Sequence, residues 1–119
     1  MEVNTPLIEA KALKKYFKLG ENRYLHAVDN INLQIYKGTT VGIVGESGCG
    51  KSTFGRTLLR LTEATSGEIL YCGENILTFG RQKMKQMRKN MQIIFQDPYA
   101  SVDPRKSVVE IIAEYMLIH

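Results

Sequence analysis

A single α/β domain, with an antiparallel β element packed beside an α/β core, is the fold that this sequence predicts. Two alternating apolar segments near the start are separated by a Gly-Glu-Asn turn, which favours an antiparallel strand pair. A short β-branched run then enters a glycine-rich turn, after which the apolar spacing becomes helical. The 119 residues suit one domain, residues 1–119, and 44% hydrophobic residues suffice for a folded core.

The first three predicted elements are strands. Residues 7–13 and 27–35 are expected to pair antiparallel, with Gly20 marking the turn region between them. Residues 39–44 read Thr-Thr-Val-Gly-Ile-Val, a composition that suits a strand buried on both faces. A helix is predicted from Ser52, because the apolar residues that follow it share one helical face.

The second half of the chain continues this alternation. Residues 68–72 and 75–77 favour a strand pair, residues 81–89 a basic helix with its methionines inward, and residues 91–95 a further strand. The last predicted helix begins at Ser107, which is followed three positions later by Glu110 in the pattern of a capping box. The apolar face of that helix is predicted to contain Val108, Ile111, Ile112, Tyr115 and Met116.

Composition excludes several classes of protein. No apolar run approaches the roughly 20 residues of a membrane-spanning helix, and the start lacks the pattern of a secretion signal. The two cysteines, Cys49 and Cys72, form neither a CxxC pair nor a zinc-ligand spacing with histidine. The net charge of +4 is too small to imply a nucleic-acid partner. We interpret the basic segment 81–89 as a solvated helix face, with an anionic membrane or nucleic-acid contact as the alternative.

The glycine-rich turn carries the strongest chemical signal. Residues 45–52 read Gly-Glu-Ser-Gly-Cys-Gly-Lys-Ser, which is the phosphate-binding P-loop pattern in its expected place between a strand and a helix. Backbone N–H groups of such a loop, together with the positive end of the helix, bind phosphates. Lys51 is expected on the β- and γ-phosphates, Ser52 on magnesium and Thr53 near the α-phosphate. The predicted nucleotide-binding residues of the loop are Gly45, Glu46, Ser47, Gly48, Cys49, Gly50, Lys51, Ser52 and Thr53.

A second segment points to a family. Residues 93–105 read Ile-Ile-Phe-Gln-Asp-Pro-Tyr-Ala-Ser-Val-Asp-Pro-Arg, which resembles the Q-loop region of ATP-binding cassette (ABC) transporter ATPases, in the branch that imports dipeptides and oligopeptides. Residues 27–31, 45–56 and 66–69 resemble the same branch. The resemblance covers essentially the whole chain, and it implies the N-terminal portion of an ABC transporter ATP-binding domain with ATP and Mg²⁺ as cofactors.

The resemblance also implies roles for residues outside the loop. Gln96 would contact magnesium and the attacking water, so that Lys51 and Gln96 are the implied catalytic residues and Ser52 and Gln96 the implied metal contacts. Phe17, with Tyr16 as the alternative, would stack on adenine, an interaction worth roughly 1–3 kcal/mol per base. A buried aromatic at a strand end is the other interpretation of Phe17.

The family further implies an assembly at the cytoplasmic face of the cell membrane. The implied partners are transmembrane permease subunits, a second ATP-binding subunit and, indirectly, an extracytoplasmic peptide-binding protein. Residues 96–115 are the implied docking surface for the permease. The function implied for the parent protein is ATP hydrolysis that energises peptide import.

Three motifs of the family have no counterpart in these 119 residues: the Leu-Ser-Gly-Gly-Gln signature, the Walker B strand ending in Asp-Glu, and the switch histidine. No glycine follows Gly80, and the late histidine, His119, is the final residue. We therefore expect the chain to bind ATP without hydrolysing it alone. The alternatives are a truncated, non-hydrolysing docking module and a compact P-loop nucleotide kinase with Asp97 on magnesium, although Gln96 and Pro98 beside Asp97 indicate a turn.

Overall fold

The computed structural model describes residues 5–46, 50–96 and 103–118, with the backbone alone at Tyr115. The chain forms two compact units, Met1–Phe79 and Gly80–His119. The first unit contains the sheet and the helix that follows the glycine-rich turn. The second unit contains two further helices.

One antiparallel sheet dominates the first unit. Its strands are β1 (Ile8–Gly20), β2 (Arg23–Ile35), β3 (Ser66–Tyr71) and β4 (Glu74–Asn75), in the order β2-β1-β3-β4. The predicted antiparallel pairing of the first two strands is confirmed, but both strands are longer than predicted. The added residues carry lysines and exposed aromatic side chains, so the hydrophobic pattern did not reveal them.

Strand β4 is short because it lies between a tight turn and a 3₁₀ turn. Cys72 and Gly73 both have positive φ, 50° and 86°, which is the geometry of a tight hairpin turn. Strand β4 ends at Asn75, whose side-chain Oδ1 accepts a hydrogen bond from the Leu77 N–H at 3.1 Å and starts the 3₁₀ turn Ile76–Thr78. The predicted strand 75–77 is therefore wrong after its first residue, because the Asn75 side chain competes with strand pairing.

Two further predicted strands are absent. Residues 39–46 and 91–95 adopt no regular secondary structure, and the side chains of Val44 and Ile94 are 92% and 93% exposed. A strand buried on both faces needs hydrogen-bonded neighbours and covering helices. In the described ranges, the sheet consists of the four antiparallel strands, and neither segment pairs with them. β-branched composition alone does not make a strand.

The predicted helices are confirmed. They are α1 (Lys51–Leu58), α2 (Arg81–Met87) and α3 (Val108–Ile118), with a 3₁₀ turn at Arg88–Asn90. Met84 and Met87 are buried, as the sequence predicts for the inner side of α2.

The capping box of α3 is formed. Glu110 N–H donates to Ser107 Oγ at 3.2 Å, and Ser107 N–H donates to Glu110 Oε2 at 3.0 Å. Val108, Ile112 and Met116 of the predicted apolar face are exposed, and the Tyr115 side chain lies outside the described residues. None of the helices in the described part of the chain is long and apolar enough to cross a membrane.

The core of the first unit lies between α1 and the sheet. Its buried apolar side chains are Ala10, Leu13, Val28, Phe54, Ile69, Ile76 and Phe79. Arg60, just beyond α1, donates from Nη1 to the carbonyl oxygens of Ile76 and Phe79 at 3.0 and 2.8 Å. These bonds join the end of α1 to the turn after β4.

Leu13 offers a direct test of this core. Because its side chain is fully buried in the central strand, Leu13→Ala is expected to lower the free energy of unfolding by about 2–5 kcal/mol. The matched variant Leu19→Ala removes the same atoms from a side chain that is 62% exposed, and its effect should stay within about 0.5 kcal/mol. Urea unfolding followed by circular dichroism measures both values. Equal losses would contradict the position of the core.

Candidate nucleotide-binding site

The site begins where the glycine-rich turn enters α1. Gly50 immediately precedes the helix with φ at +94°, and its carbonyl oxygen accepts the first helical hydrogen bond, from Phe54 N–H at 2.8 Å. A Cβ at Gly50 would collide with the carbonyl oxygen of Ala27 in β2. Glycine is therefore required at position 50 for two reasons, the left-handed backbone and the close contact with β2.

The Lys51 side chain connects the end of the glycine-rich loop to its beginning. Its Nζ donates a hydrogen bond to the carbonyl oxygen of Gly45, the first residue of the glycine-rich segment. This contact holds a positive charge beside the start of α1, where backbone N–H groups have no helical partner. A phosphate oxygen can replace the carbonyl as the acceptor for Nζ. The combination of cation and helix N-terminus is the chemistry of an anion site.

The other predicted loop residues differ in their exposure. Ser52 is exposed at the second position of α1, and Thr53 is partly buried, with its carbonyl accepting a hydrogen bond from the Thr57 hydroxyl at 2.7 Å. Glu46 is exposed beside Gly45. Ser47, Gly48 and Cys49 lie outside the described residues. The binding roles of all these residues stay predictions.

A cleft of about 410 Å³ opens beside the loop, a volume within the range of small-molecule sites. Its lining consists of Ala27, Val28, Asp29, Ile31, Asn32, Leu33, Ile43, Val44, Gly50, Lys51 and Phe54. Most of these side chains are apolar. Among these lining residues, Asp29 and Lys51 carry the charges, so the cleft has one anionic and one cationic group.

The two candidates for adenine stacking have different surroundings. The Phe17 side chain is 37% exposed, and Lys15 Nζ lies 5.0 Å from the centre of its ring. The Tyr16 ring stacks on His26, with ring centres 3.9 Å apart, and its hydroxyl donates to Asp29 Oδ1 at 2.6 Å. Tyr16 thus contacts a residue of the cleft lining. Stacking of adenine on Phe17 stays a prediction.

The hydrogen bond to Asp29 also affects the acidity of Tyr16. Because the phenol donates to a carboxylate, the pKa of Tyr16 is raised above its ordinary value of 10.0. The phenol therefore remains a donor throughout the neutral range. No sequence pattern indicates Asp29 and His26 as site residues, since only the strand register brings their side chains to Tyr16.

The predicted metal contacts belong to different units. Ser52 lies at the start of α1, and Gln96 lies in the second unit, exposed at the end of the irregular stretch 91–96. Over residues 5–46, 50–96 and 103–118, no group of three or more histidine, cysteine, aspartate or glutamate side chains forms a metal site. Asp97, the metal ligand of the kinase alternative, lies outside the described residues. The shared magnesium role of Ser52 and Gln96 stays a prediction.

Comparison with known proteins identifies similar sequences. A family model described as ABC transporter matches residues 28–116. The chain is 52% identical over 114 residues to the oligopeptide transport ATP-binding protein OppF of Bacillus subtilis, covering 95% of the chain and 37% of that protein. It is 42% identical over 121 residues to the dipeptide transport ATP-binding protein DppF of Haemophilus influenzae, covering 98% of the chain and again 37% of that protein. The chain thus spans a little over a third of the length of these relatives.

Solved structures of ABC transporter cassettes are similar to this chain in fold. The dimeric structure of MJ0796, a bacterial ABC transporter cassette, matches with a TM-score of 0.78 and 27% identity, over 92% of this chain and 47% of that chain. A dimeric post-hydrolysis state of MJ0796 bound to ADP and Pi matches with a TM-score of 0.64 and 30% identity, over 69% of this chain and 35% of that chain. The predicted fold class is confirmed as part of this cassette fold, although the strands predicted at residues 39–44 and 91–95 are absent.

Proposed function

The chain belongs to the ABC transporter family, in its oligopeptide and dipeptide ATP-binding branch, and from this premise we propose that it binds ATP at the start of α1. One observation carries the proposal. Gly50, held left-handed against β2, positions Lys51 at the first turn of the helix with its ammonium group turned over the loop. This arrangement supports phosphate binding by a point charge together with backbone donors.

Magnesium fits the residues at the start of α1. Ser52 is an exposed residue directly after Lys51, so its hydroxyl would be an oxygen ligand beside the bound phosphates. Mg²⁺ prefers oxygen ligands and is commonly held by one or two protein groups together with phosphate oxygens. When bound, the ion would neutralise charge on the β- and γ-phosphates. Ser52 would hold it, with Gln96 as the second proposed contact.

For the whole protein we propose a role in peptide import. The relatives that support this role are transport ATP-binding proteins for oligopeptides and dipeptides. The proposed partners are transmembrane permease subunits, a second ATP-binding subunit and, indirectly, an extracytoplasmic peptide-binding protein, at the cytoplasmic face of the membrane. The dimeric cassette of MJ0796 supports the pairing of two ATP-binding subunits.

The 119-residue chain is proposed to bind nucleotide without turning it over. Hydrolysis needs a carboxylate that polarises the attacking water and a signature motif that closes over the γ-phosphate. The sequence contains no Gly-Gly signature, because no glycine follows Gly80. Purified chain incubated with MgATP is expected to release no phosphate above the background of buffer. Steady-state release that is proportional to chain concentration would overturn this part of the proposal.

The binding proposal is tested with a fluorescent ATP analogue. Titration into the purified chain, with size-exclusion chromatography and circular dichroism on the same sample, is expected to show saturable binding by a folded monomer. Unlabelled ATP and inorganic triphosphate should compete, whereas adenosine should compete weakly, because the phosphates supply most of the contacts at the loop. A folded monomer that shows no signal displaced by ATP would refute the proposed function.

A further inference from the structure

Building on the proposed ATP site, we propose that Asp29 is a specificity-determining residue that accepts a hydrogen bond from a ribose hydroxyl of the bound nucleotide. Tyr16 and His26 are the positioning residues that hold its carboxylate. Asp29 would contact the sugar of the nucleotide, whereas Lys51 would contact its phosphates.

Asp29 is placed to meet a ligand in the cleft. It lines the same cleft as Gly50 and Lys51, and its side chain is 53% exposed. The uncharged polar side chain of the lining, Asn32, already accepts the Ala12 N–H at 2.9 Å through Oδ1. Asp29 is therefore the carboxylate that a ligand would meet among the described lining residues.

Within the described part of the chain, one oxygen of the Asp29 carboxylate has no hydrogen-bond donor. Oδ1 accepts the Tyr16 hydroxyl at 2.6 Å, whereas Oδ2 lies 3.9 Å from His26 Nδ1, beyond hydrogen-bond distance. An ionised carboxylate accepts several hydrogen bonds and donates none. A donor on the ligand can thus bind Oδ2 while the Tyr16 contact remains.

The two charges of the cleft determine which end of the nucleotide lies at the loop. Phosphates are attracted to Lys51 and repelled by Asp29, so the triphosphate belongs at the loop. The remaining donors of ATP are the two ribose hydroxyls and the adenine amino group. A carboxylate that accepts from ribose hydroxyls is a physically established means of recognising a nucleoside. A flexible sugar–phosphate chain that starts at Lys51 brings its hydroxyls into the cleft before its base.

Tyr16 is fixed at three points, and this fixes Asp29. Its ring lies nearly parallel to the His26 ring, at 12°, its hydroxyl contacts Asp29, and its backbone N–H donates to Thr65 Oγ1 at 2.9 Å. The phenol is protonated at neutral pH, so it remains the donor in its hydrogen bond to Asp29. Asp29 therefore presents Oδ2 in a set orientation, which reduces the entropy lost on binding.

The test compares the affinities of the full chain for ATP, 2′-deoxy-ATP, 3′-deoxy-ATP and inorganic triphosphate. Wild type is expected to prefer ATP to at least one of the deoxy-nucleotides by about tenfold, the typical effect of one hydrogen bond to a charged group. Asp29→Ala and the isosteric Asp29→Asn should reduce that ratio, in the alanine variant to about one. Affinity for inorganic triphosphate should stay within about twofold. Tyr16→Phe keeps the ring, removes the donor, and should give an intermediate ratio.

Glu21→Ala is the matched control, because it removes one exposed carboxylate at the hairpin turn, away from the cleft. Its nucleotide preference should equal that of wild type. If wild type binds ATP and both deoxy-nucleotides equally, the role of Asp29 is refuted while the proposed function stands. An unchanged preference in Asp29→Ala would refute it as well. A folded chain that binds neither ATP nor triphosphate would overturn the proposed function and this inference together.

Discussion

Lys51→Ala is expected to lower the affinity for MgATP by about 10- to 100-fold. A charge-assisted hydrogen bond contributes about 1.5–3 kcal/mol, and Lys51 is the cation that the structure places at the start of α1. The free energy of unfolding should change little, because the lost contact is an exposed hydrogen bond to the Gly45 carbonyl. Titration of the fluorescent ATP analogue measures the affinity, and thermal unfolding measures the stability.

Lys37→Ala is the control for this experiment. Lys37 is an exposed lysine in the turn after β2, and its removal changes the net charge by the same amount. Wild-type affinity in Lys37→Ala and reduced affinity in Lys51→Ala would assign the effect to the site. Equal affinity for MgATP in Lys51→Ala and wild type, with both chains folded, would show that the loop does not bind the phosphates.

Gly50→Ala is expected to destabilise the first unit by at least about 2 kcal/mol. A left-handed backbone costs a non-glycine residue of order 1–3 kcal/mol, and the new methyl group would also collide with the Ala27 carbonyl oxygen. Relief of that collision requires α1 to move away from β2, which would disturb the position of Lys51. The variant should therefore lose stability and nucleotide affinity together, as measured by urea unfolding and by the binding titration.

Gly55→Ala provides the comparison within the same helix. A Cβ at Gly55 meets no atom within 4 Å, and alanine is favoured over glycine inside a helix by about 1 kcal/mol. This variant should be as stable as wild type or more stable. If Gly50→Ala were equally well tolerated, the close approach of the loop to β2 would be wrong.

Features that depend on neighbouring residues in the sequence were predictable. The start of α1 follows from the glycine-rich turn, and the start of α3 follows from Ser107 and Glu110, because each signal lies within a few residues of its effect. The strands predicted at residues 39–44 and 91–95 failed for the opposite reason. A buried strand is stabilised by its partners, and composition does not say whether those partners are present.

In the candidate site, too, the features set by neighbouring residues were predictable and those set by distant residues were not. The P-loop pattern indicates Lys51 directly. The contact of Gly50 with Ala27 depends instead on how the turn packs against β2, and the grouping of Tyr16, His26 and Asp29 depends on how β1 and β2 pair. The pairing register of β1 with β2 shifts at irregularities on both sides of Lys15. A shift of one residue exchanges the faces of a strand, so alternation in the sequence cannot assign these side chains.

The central place of β1 has a consequence while the chain is being synthesised. β1 can pair with β2 as soon as the hairpin is complete. Its other edge has no partner until β3 has been synthesised, because Ile8 at that edge pairs with Tyr71. Throughout the translation of residues 36–65, the first strand to emerge presents an open row of backbone donors and acceptors. Such an edge can pair with a neighbouring nascent chain. Slower elongation over this interval would therefore lengthen the exposure of β1 and raise the fraction of chains lost to aggregation.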